Sequence, residues 1–389
     1  MVSVIEKVRY ISSTGREAGV ISKLETAIIQ GALRRKLRPS KPFYLTWNIT
    51  NECNLKCIYC SNNDEKTTVE VLCSSEVLKI ASQIVISGIK YVRILGGEPT
   101  LLPAFPDAID VLLGAGIYVS FSTNGVGVND RLVHVLKKYS PHQYSVNVSI
   151  DSSNESVNER TRGAGSCDIA KRALSHLLDI EEINLTLFSV ITKYNSNDLE
   201  NTYEYCVDKG IPFFSATTAL EKGLCTQDMV LQIDENTIST LYRLCKKAQT
   251  DSAMDKQVTK VNINLGYLAI DYICEDVLKT DNAENLEFSN LVFRAKCSTC
   301  ITRLHLDSDG SVYPCDYLKF PDFLLGNVTK DSFLDIWQND TADYISKIRR
   351  NDKVRCADCN VYTCSTGCMG LSYGAFGTLL SNDPNCKLL

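Results

Sequence analysis

Between Pro42 and about Thr218, short strand-like runs alternate with longer stretches of helical periodicity. The strand candidates are Tyr44–Thr50, Tyr91–Leu95, Tyr118–Ser122, Tyr144–Ile150, Leu185–Ile191 and Pro212–Thr217. Helical runs lie between them near Ser75–Ser87, Ala104–Leu113, Asp130–Lys138, Asp168–Leu178 and Asn197–Lys209. Six such βα units in succession predict an α/β fold with a parallel sheet and right-handed crossovers.

The chain outside this alternation divides into three parts. Residues 1–41 form an N-terminal extension in which Glu17–Lys36 has helical character, with Val20, Leu24, Ile28 and Leu33 roughly on one face. It ends in the basic run Arg34, Arg35, Lys36 and Arg38, which complements a helix C-terminus; binding an acidic peptide or a phosphate is the alternative. The extension is too short to be an independent peptide-binding domain. Beyond the alternating region (42–235), residues 236–294 read as a connector with a helix near Glu235–Lys247 and a polar stretch at Lys279–Asn290. Residues 295–389 are cysteine-rich and full of short turns.

Composition narrows the class. A hydrophobic fraction of 44% with 22% charged residues is that of an ordinary globular protein with a sizeable core. A formal charge of −5 argues against nucleic acid or a membrane surface as partner. No apolar run reaches the roughly 18 residues of a membrane span, and the N-terminus lacks the layout of a signal peptide. These features predict a cytoplasmic protein, in which 17 cysteines cannot be a disulfide framework. With only 4 histidines, a metal site must be mostly thiolate.

Three of the cysteines form one loop, Cys53-x3-Cys57-x2-Cys60, just after the first strand candidate. Thiolates suit iron–sulfur clusters, and three of them leave one iron of a four-iron cube open to a small molecule. A zinc site is the bland alternative, but zinc prefers four ligands, and this loop has an odd number and no nearby histidine. The loop resembles that of the radical S-adenosylmethionine (radical SAM) enzymes, in which an aromatic residue, here Tyr59, precedes the third cysteine. That resemblance implies a partial (β/α)6, TIM-like barrel with the chemistry at the C-terminal ends of its strands.

Further motifs fall at successive strand ends. Gly96-Gly97-Glu98-Pro99 follows the second strand; two glycines permit close backbone approach to a ligand, and Glu98 can balance a sulfonium or ammonium charge. In the resembled family this turn binds the amino group of S-adenosylmethionine. Ser122-Thr123-Asn124-Gly125 ends the third strand and resembles the segment that lies against the ligand. Ser149-Ile150-Asp151 ends the fourth, with Arg162-Gly163 beyond. By resemblance Ser149 bonds to the ligand, Asp151 belongs to the same site, and Arg162 takes the ligand carboxylate. In isolation Asp151 would cap a turn and Arg162 would sit on a solvated face. The family often has His-Asp before that arginine; this chain has Asn158-Glu159, which receive no role.

The distal cysteines read Cys297-x2-Cys300-x9-Gly310-x4-Cys315, then Cys356-x2-Cys359-x4-Cys364-x3-Cys368, then Cys386. They resemble the SPASM extension of many radical SAM enzymes, with one residue fewer between Cys359 and Cys364. By spacing alone, paired C-x2-C knuckles equally suit two zinc ions. The resemblance instead implies two auxiliary four-iron, four-sulfur (4Fe-4S) clusters, one on Cys297, Cys300, Cys315 and Cys368, the other on Cys356, Cys359, Cys364 and Cys386. With the S-adenosylmethionine-binding cluster, that makes three.

Two residues are candidates for chemistry on a substrate. Cys225, in a loop after the sixth strand, resembles the hydrogen-atom donor of the family's epimerases. Asp316 directly follows Cys315, as does the general base of anaerobic sulfatase-maturating enzymes; the alternative is a turn-forming aspartate. The resemblance implies an oxidoreductase or maturase that cleaves S-adenosylmethionine reductively and oxidises or cross-links a peptide or protein side chain. Its electrons would come from an external donor such as flavodoxin or ferredoxin. The runner-up substrate is a small molecule such as an aminocyclitol or sugar, dehydrogenated or epimerised. From other classes, a ferredoxin-type electron carrier predicts no turnover of S-adenosylmethionine, and a zinc-bound interaction module predicts no iron.

Overall fold

The computed structural model describes residues 20–61, 72–219, 235–253, 259–264, 297–350 and 368–381, together with Lys7 and Pro384. Strands β1 (Tyr44–Asn48), β2 (Tyr91–Leu95), β3 (Tyr118–Thr123), β4 (Tyr144–Ser149), β5 (Leu185–Ile191), β6 (Phe213–Thr218) and β7 (Lys260–Asn264) lie side by side in sequence order, every neighbouring pair parallel. Strand β8 (Arg303–Leu306) adds to the free edge of β1 in parallel, and β9 (Ser311–Tyr313) and β10 (Gly326–Asn327) continue antiparallel. Among the described residues the sheet has ten strands, with β7 and β10 at its two ends. This is the expected α/β fold with a mostly parallel sheet, and the cysteine-rich C-terminal part is hydrogen-bonded directly onto it.

The helices are α1 (Val20–Arg35), α2 (Ser74–Ser87), α3 (Phe105–Gly114), α4 (Asp130–Lys137), α5 (Glu155–Arg162), α6 (Ser166–Leu178), α7 (Leu199–Lys209), α8 (Glu235–Ala253), α9 (Phe333–Trp337), α10 (Asp340–Arg350) and α11 (Met369–Phe376). Helix α2 begins where Glu76 accepts the Cys73 N–H at 2.8 Å and stops at Gly88, whose φ of +77° ends the helical path. The alternation of the strands divides the sheet into two faces. Val92, Ile94, Val146, Val148, Leu185 and Leu187 are wholly buried in the hydrophobic core. The intervening residues, such as Arg93, Asn147 and Ser149, are half-buried on the opposite, polar face. The parallel run extends one strand beyond the six expected, because Val261 and Ile263 of β7 bury against α8 and β6.

The basic run after α1 has an internal explanation for one member. The Arg38 guanidinium lies 3.7 Å over the Trp337 ring, whose Nε1 donates to the Pro39 carbonyl at 2.8 Å. Among the described residues no helix is long and apolar enough to cross a membrane.

Candidate functional site

The cysteine loop leaves the C-terminal end of β1 and is fastened at three points. The Ile58 N–H donates to the Thr161 carbonyl at the end of α5 at 3.0 Å. The Tyr59 hydroxyl donates to Asp151 Oδ2 at 2.6 Å. Asn124, at the end of β3, donates from Nδ2 to Asn54 Oδ1 at 2.8 Å. The loop of Cys53, Cys57 and Cys60 is therefore held by groups that follow two other strands, β3 and β4.

The Gly96–Gly97 turn packs against the backbone leading into this loop. Gly97 N–H donates to Thr50 O and Glu98 N–H to Glu52 O, both at 2.7 Å. A Cβ on Gly97 would fall 2.1 Å from Glu52 O, and one on Gly96, where φ is +145°, 2.3 Å from Thr50 O. The close approach that these glycines permit is thus made to the protein's own chain. Gly97→Ala is expected to destabilise by about 1–3 kcal/mol, as overpacking does, and to lower iron uptake. Thermal unfolding and iron content per chain check this, with Gly31→Ala on α1, where a Cβ meets nothing within 4 Å, as the silent control.

Glu98 is 1% exposed, and its carboxylate accepts from Thr100 N–H (3.0 Å), Thr100 Oγ1 (2.6 Å), Thr123 Oγ1 (2.6 Å) and Asn124 N–H (2.5 Å). Burial pushes this carboxyl up, and the four hydrogen bonds oppose the shift. Its side chain joins the β2 turn to the β3 turn. Pro99 opens the short 3₁₀ turn that follows.

Asp151 is the second hub and is wholly buried. Its Oδ1 accepts from Arg162 Nη2 at 2.9 Å and Val190 N–H at 3.0 Å; its Oδ2 accepts from Tyr59 and from Thr161 Oγ1, both at 2.6 Å. Arg162 keeps one buried group, Nε, without a partner among the described residues. Asn158, given no role from sequence, accepts the Asp151 N–H at 2.9 Å and donates to Ser166. Asn195, missed altogether, donates to the carbonyls of Asp151 and Val190, each at 2.9 Å. Ser122 and Ser149 stand half-buried on the polar face of the sheet.

Burial pushes the Cys57 thiol up to about 11, against the pull of the Arg162 cation. A buried thiol loses its proton readily only to a positive centre, and three thiols on one loop with no histidine are a donor set for iron–sulfur rather than for a lone zinc ion. Among the described residues no three Cys, His, Asp or Glu side chains close on a single-ion position.

Near the start of β8 the fold collects a second thiol group. Cys315 feels Cys297 and Cys368 electrostatically, and Cys300 feels Cys315 and Cys297. Burial, then Cys297 and Cys368, push the Cys315 thiol up to about 12; Cys300 is raised for the same first reason. Cys300 adopts a left-handed φ of +53° in a tight turn in which Ser298 O accepts the N–H groups of Ile301, Thr302 and Arg303. Cys368 is delivered by α11, where a Cβ on Gly370 would fall 2.5 Å from Tyr317 O. The fold thus brings the four members of the first predicted auxiliary set into one neighbourhood. Cys356, Cys359, Cys364, Cys386 and Cys225 lie outside the described residues. Asp316 is 31% exposed, with Oδ1 3.9 Å from Nε2 of the buried His305.

Residues 47–206 match the model of the Radical SAM superfamily, and residues 297–360 match that of the SPASM iron-sulfur cluster-binding domain. The chain is 28% identical to mycofactocin maturase MftC of Mycobacterium ulcerans, covering 89% of this chain and 88% of that protein. It is 23% identical to an AdoMet-dependent heme synthase of Methanosarcina barkeri, covering 89% and 96%. In fold it resembles Streptococcus suis SuiB bound to its precursor peptide SuiA, at a TM-score of 0.68 and 19% identity over 92% of this chain and 79% of that one.

Proposed function

We propose, from the premise that the chain belongs to the radical SAM superfamily and carries a SPASM domain, that it is an oxidoreductase or maturase acting on a peptide or protein side chain. The observation that supports this most is the convergence of the thiol loop, Asn124 and the Asp151–Arg162 pair beyond the ends of β1, β3 and β4. Cys53, Cys57 and Cys60 would hold a 4Fe-4S cluster. When bound, that cluster and S-adenosylmethionine supply a 5′-deoxyadenosyl radical, which takes hydrogen from an unactivated C–H bond.

The chain's own residues bind and orient. Asp151 holds one arm of Arg162 and leaves Nε to meet a carboxylate, the role expected of Arg162 toward S-adenosylmethionine. Ser122 and Ser149 present hydroxyls to the same side, and Gly96, Gly97 and Pro99 would meet the amino group through backbone atoms. Glu98, Thr123 and Asp151 keep these parts in place from beneath. Cys297, Cys300, Cys315 and Cys368 would hold one auxiliary cluster; Cys356, Cys359, Cys364 and Cys386 complete the proposal of a second. Asp316 would accept a proton from the substrate, Cys225 would be the hydrogen donor of an epimerisation, and an external flavodoxin or ferredoxin would supply electrons.

Similarity to a maturase supports the peptide substrate, and similarity to a heme synthase keeps a small molecule as the second reading. Anaerobic incubation of the reduced protein with S-adenosylmethionine and a peptide encoded beside its gene should release 5′-deoxyadenosine in proportion to peptide. The peptide should emerge lighter by whole hydrogens. An unchanged peptide, with deoxyadenosine release indifferent to it, would exclude the peptide reading.

A further inference from the structure

The polar face of the sheet carries several cations, one of which, His305, lies 3.9 Å from Asp316. None of the eight strands β1–β8 contains an Asp or Glu. On the polar face they present Arg93, Arg303, Lys260 and the titratable His305. Arg93 stands mid-strand on β2, in register with Thr46 on one side and Ser120 on the other, and is half-buried. Among the described residues no hydrogen bond or ion pair engages its guanidinium. None of its nitrogens is among the buried unpartnered atoms, so all five donors open onto the polar face, where a ligand can reach them.

Arg303 is the second cation of this face. It lies two strands away on β8, in register with Tyr44, and its guanidinium sits 5.4 Å from the Tyr44 ring. Tyr44 in turn stacks on Tyr91 at 4.4 Å, so the two arginines border one aromatic floor. Strand spacing and rise place their Cα atoms roughly 12 Å apart, a gap that two arginine side chains span. Arg303 also feels the Tyr44 hydroxyl, the Cys297 and Cys315 thiols and the Glu25 carboxylate.

We propose that Arg93, seconded by Arg303, binds a carboxylate of the substrate on this face and so orients it beneath the ligand-binding turns. Paired guanidinium groups recognise a carboxylate through parallel, charge-assisted hydrogen bonds. The peptide form of that substrate rests on the function proposed above. Its carboxylate is either the chain terminus or an Asp or Glu side chain, and both present the same chemistry.

The test uses the reconstituted full-length protein with S-adenosylmethionine and three N-acetylated tetrapeptide pools. One has a free C-terminus and lacks Asp and Glu, one is amidated and contains them, and one is amidated and lacks them. Retention in equilibrium ultrafiltration, read by mass spectrometry, should favour at least one carboxylate-bearing pool about tenfold over the carboxylate-free pool. Which pool is retained identifies the source. Arg93→Gln should abolish the preference and Arg93→Lys should keep part of it, with thermal unfolding confirming that each variant is folded. Equal retention of all three pools by the wild type, or a preference undiminished in Arg93→Gln, would overturn the proposal. The wild-type comparison decides even if Arg93→Gln fails to fold. Deoxyadenosine release by the wild type, measured in parallel, shows separately whether the underlying function stands.

Discussion

Asp151→Ala is expected to destabilise the protein by about 3–5 kcal/mol, the range for removing one partner of a buried ion pair. Asp151 has no exposed surface, and its two oxygens accept four donors from three separate segments. Removing them strands the Arg162 cation, which is itself 6% exposed, and frees the Tyr59 hydroxyl. Tyr59 sits between Cys57 and Cys60, so the damage reaches the thiol loop, and iron incorporation should fall with stability. Tyr59→Phe removes only one of the four bonds and should cost about 1 kcal/mol. Denaturant unfolding and iron content of the two variants measure both effects. Wild-type stability and full iron in Asp151→Ala would show that the hub is dispensable.

The strands were legible where apolar and polar positions alternate under a helix. The limits of β2 and β5 are those that the pattern predicts, and the other four expected strands differ by one or two residues at one or both ends. Helix α5 (Glu-Ser-Val-Asn-Glu-Arg-Thr-Arg) carries no apolar stripe, and its position comes from the Asn154 cap and from contacts to Asp151. Strand β7 has two buried side chains in five residues, and pairing with β6 and packing on α8 define it.

At the site, the sequence showed which residues matter more clearly than what each touches. Gly96 and Gly97 signal a close approach, but not that the approach is to Thr50 and Glu52. Glu98 reads as a charge facing a ligand, whereas its carboxylate is enclosed by Thr100, Thr123 and Asn124. The Tyr59–Asp151 bond spans 92 residues of sequence and has no local signature. The short spacing of Cys297 and Cys300 becomes intelligible only with the left-handed turn at Cys300.

The loop Cys53, Cys57 and Cys60 carries the central claim, and its removal should have the largest functional effect. The protein with all three replaced by Ala, purified and reconstituted anaerobically, should bind about four fewer irons per chain than the wild type. It should retain the distal thiol group, which lies on other elements around β8 and α11. With dithionite and S-adenosylmethionine, the wild type should form 5′-deoxyadenosine and the variant none. Deoxyadenosine formation that persists in the variant would contradict the account.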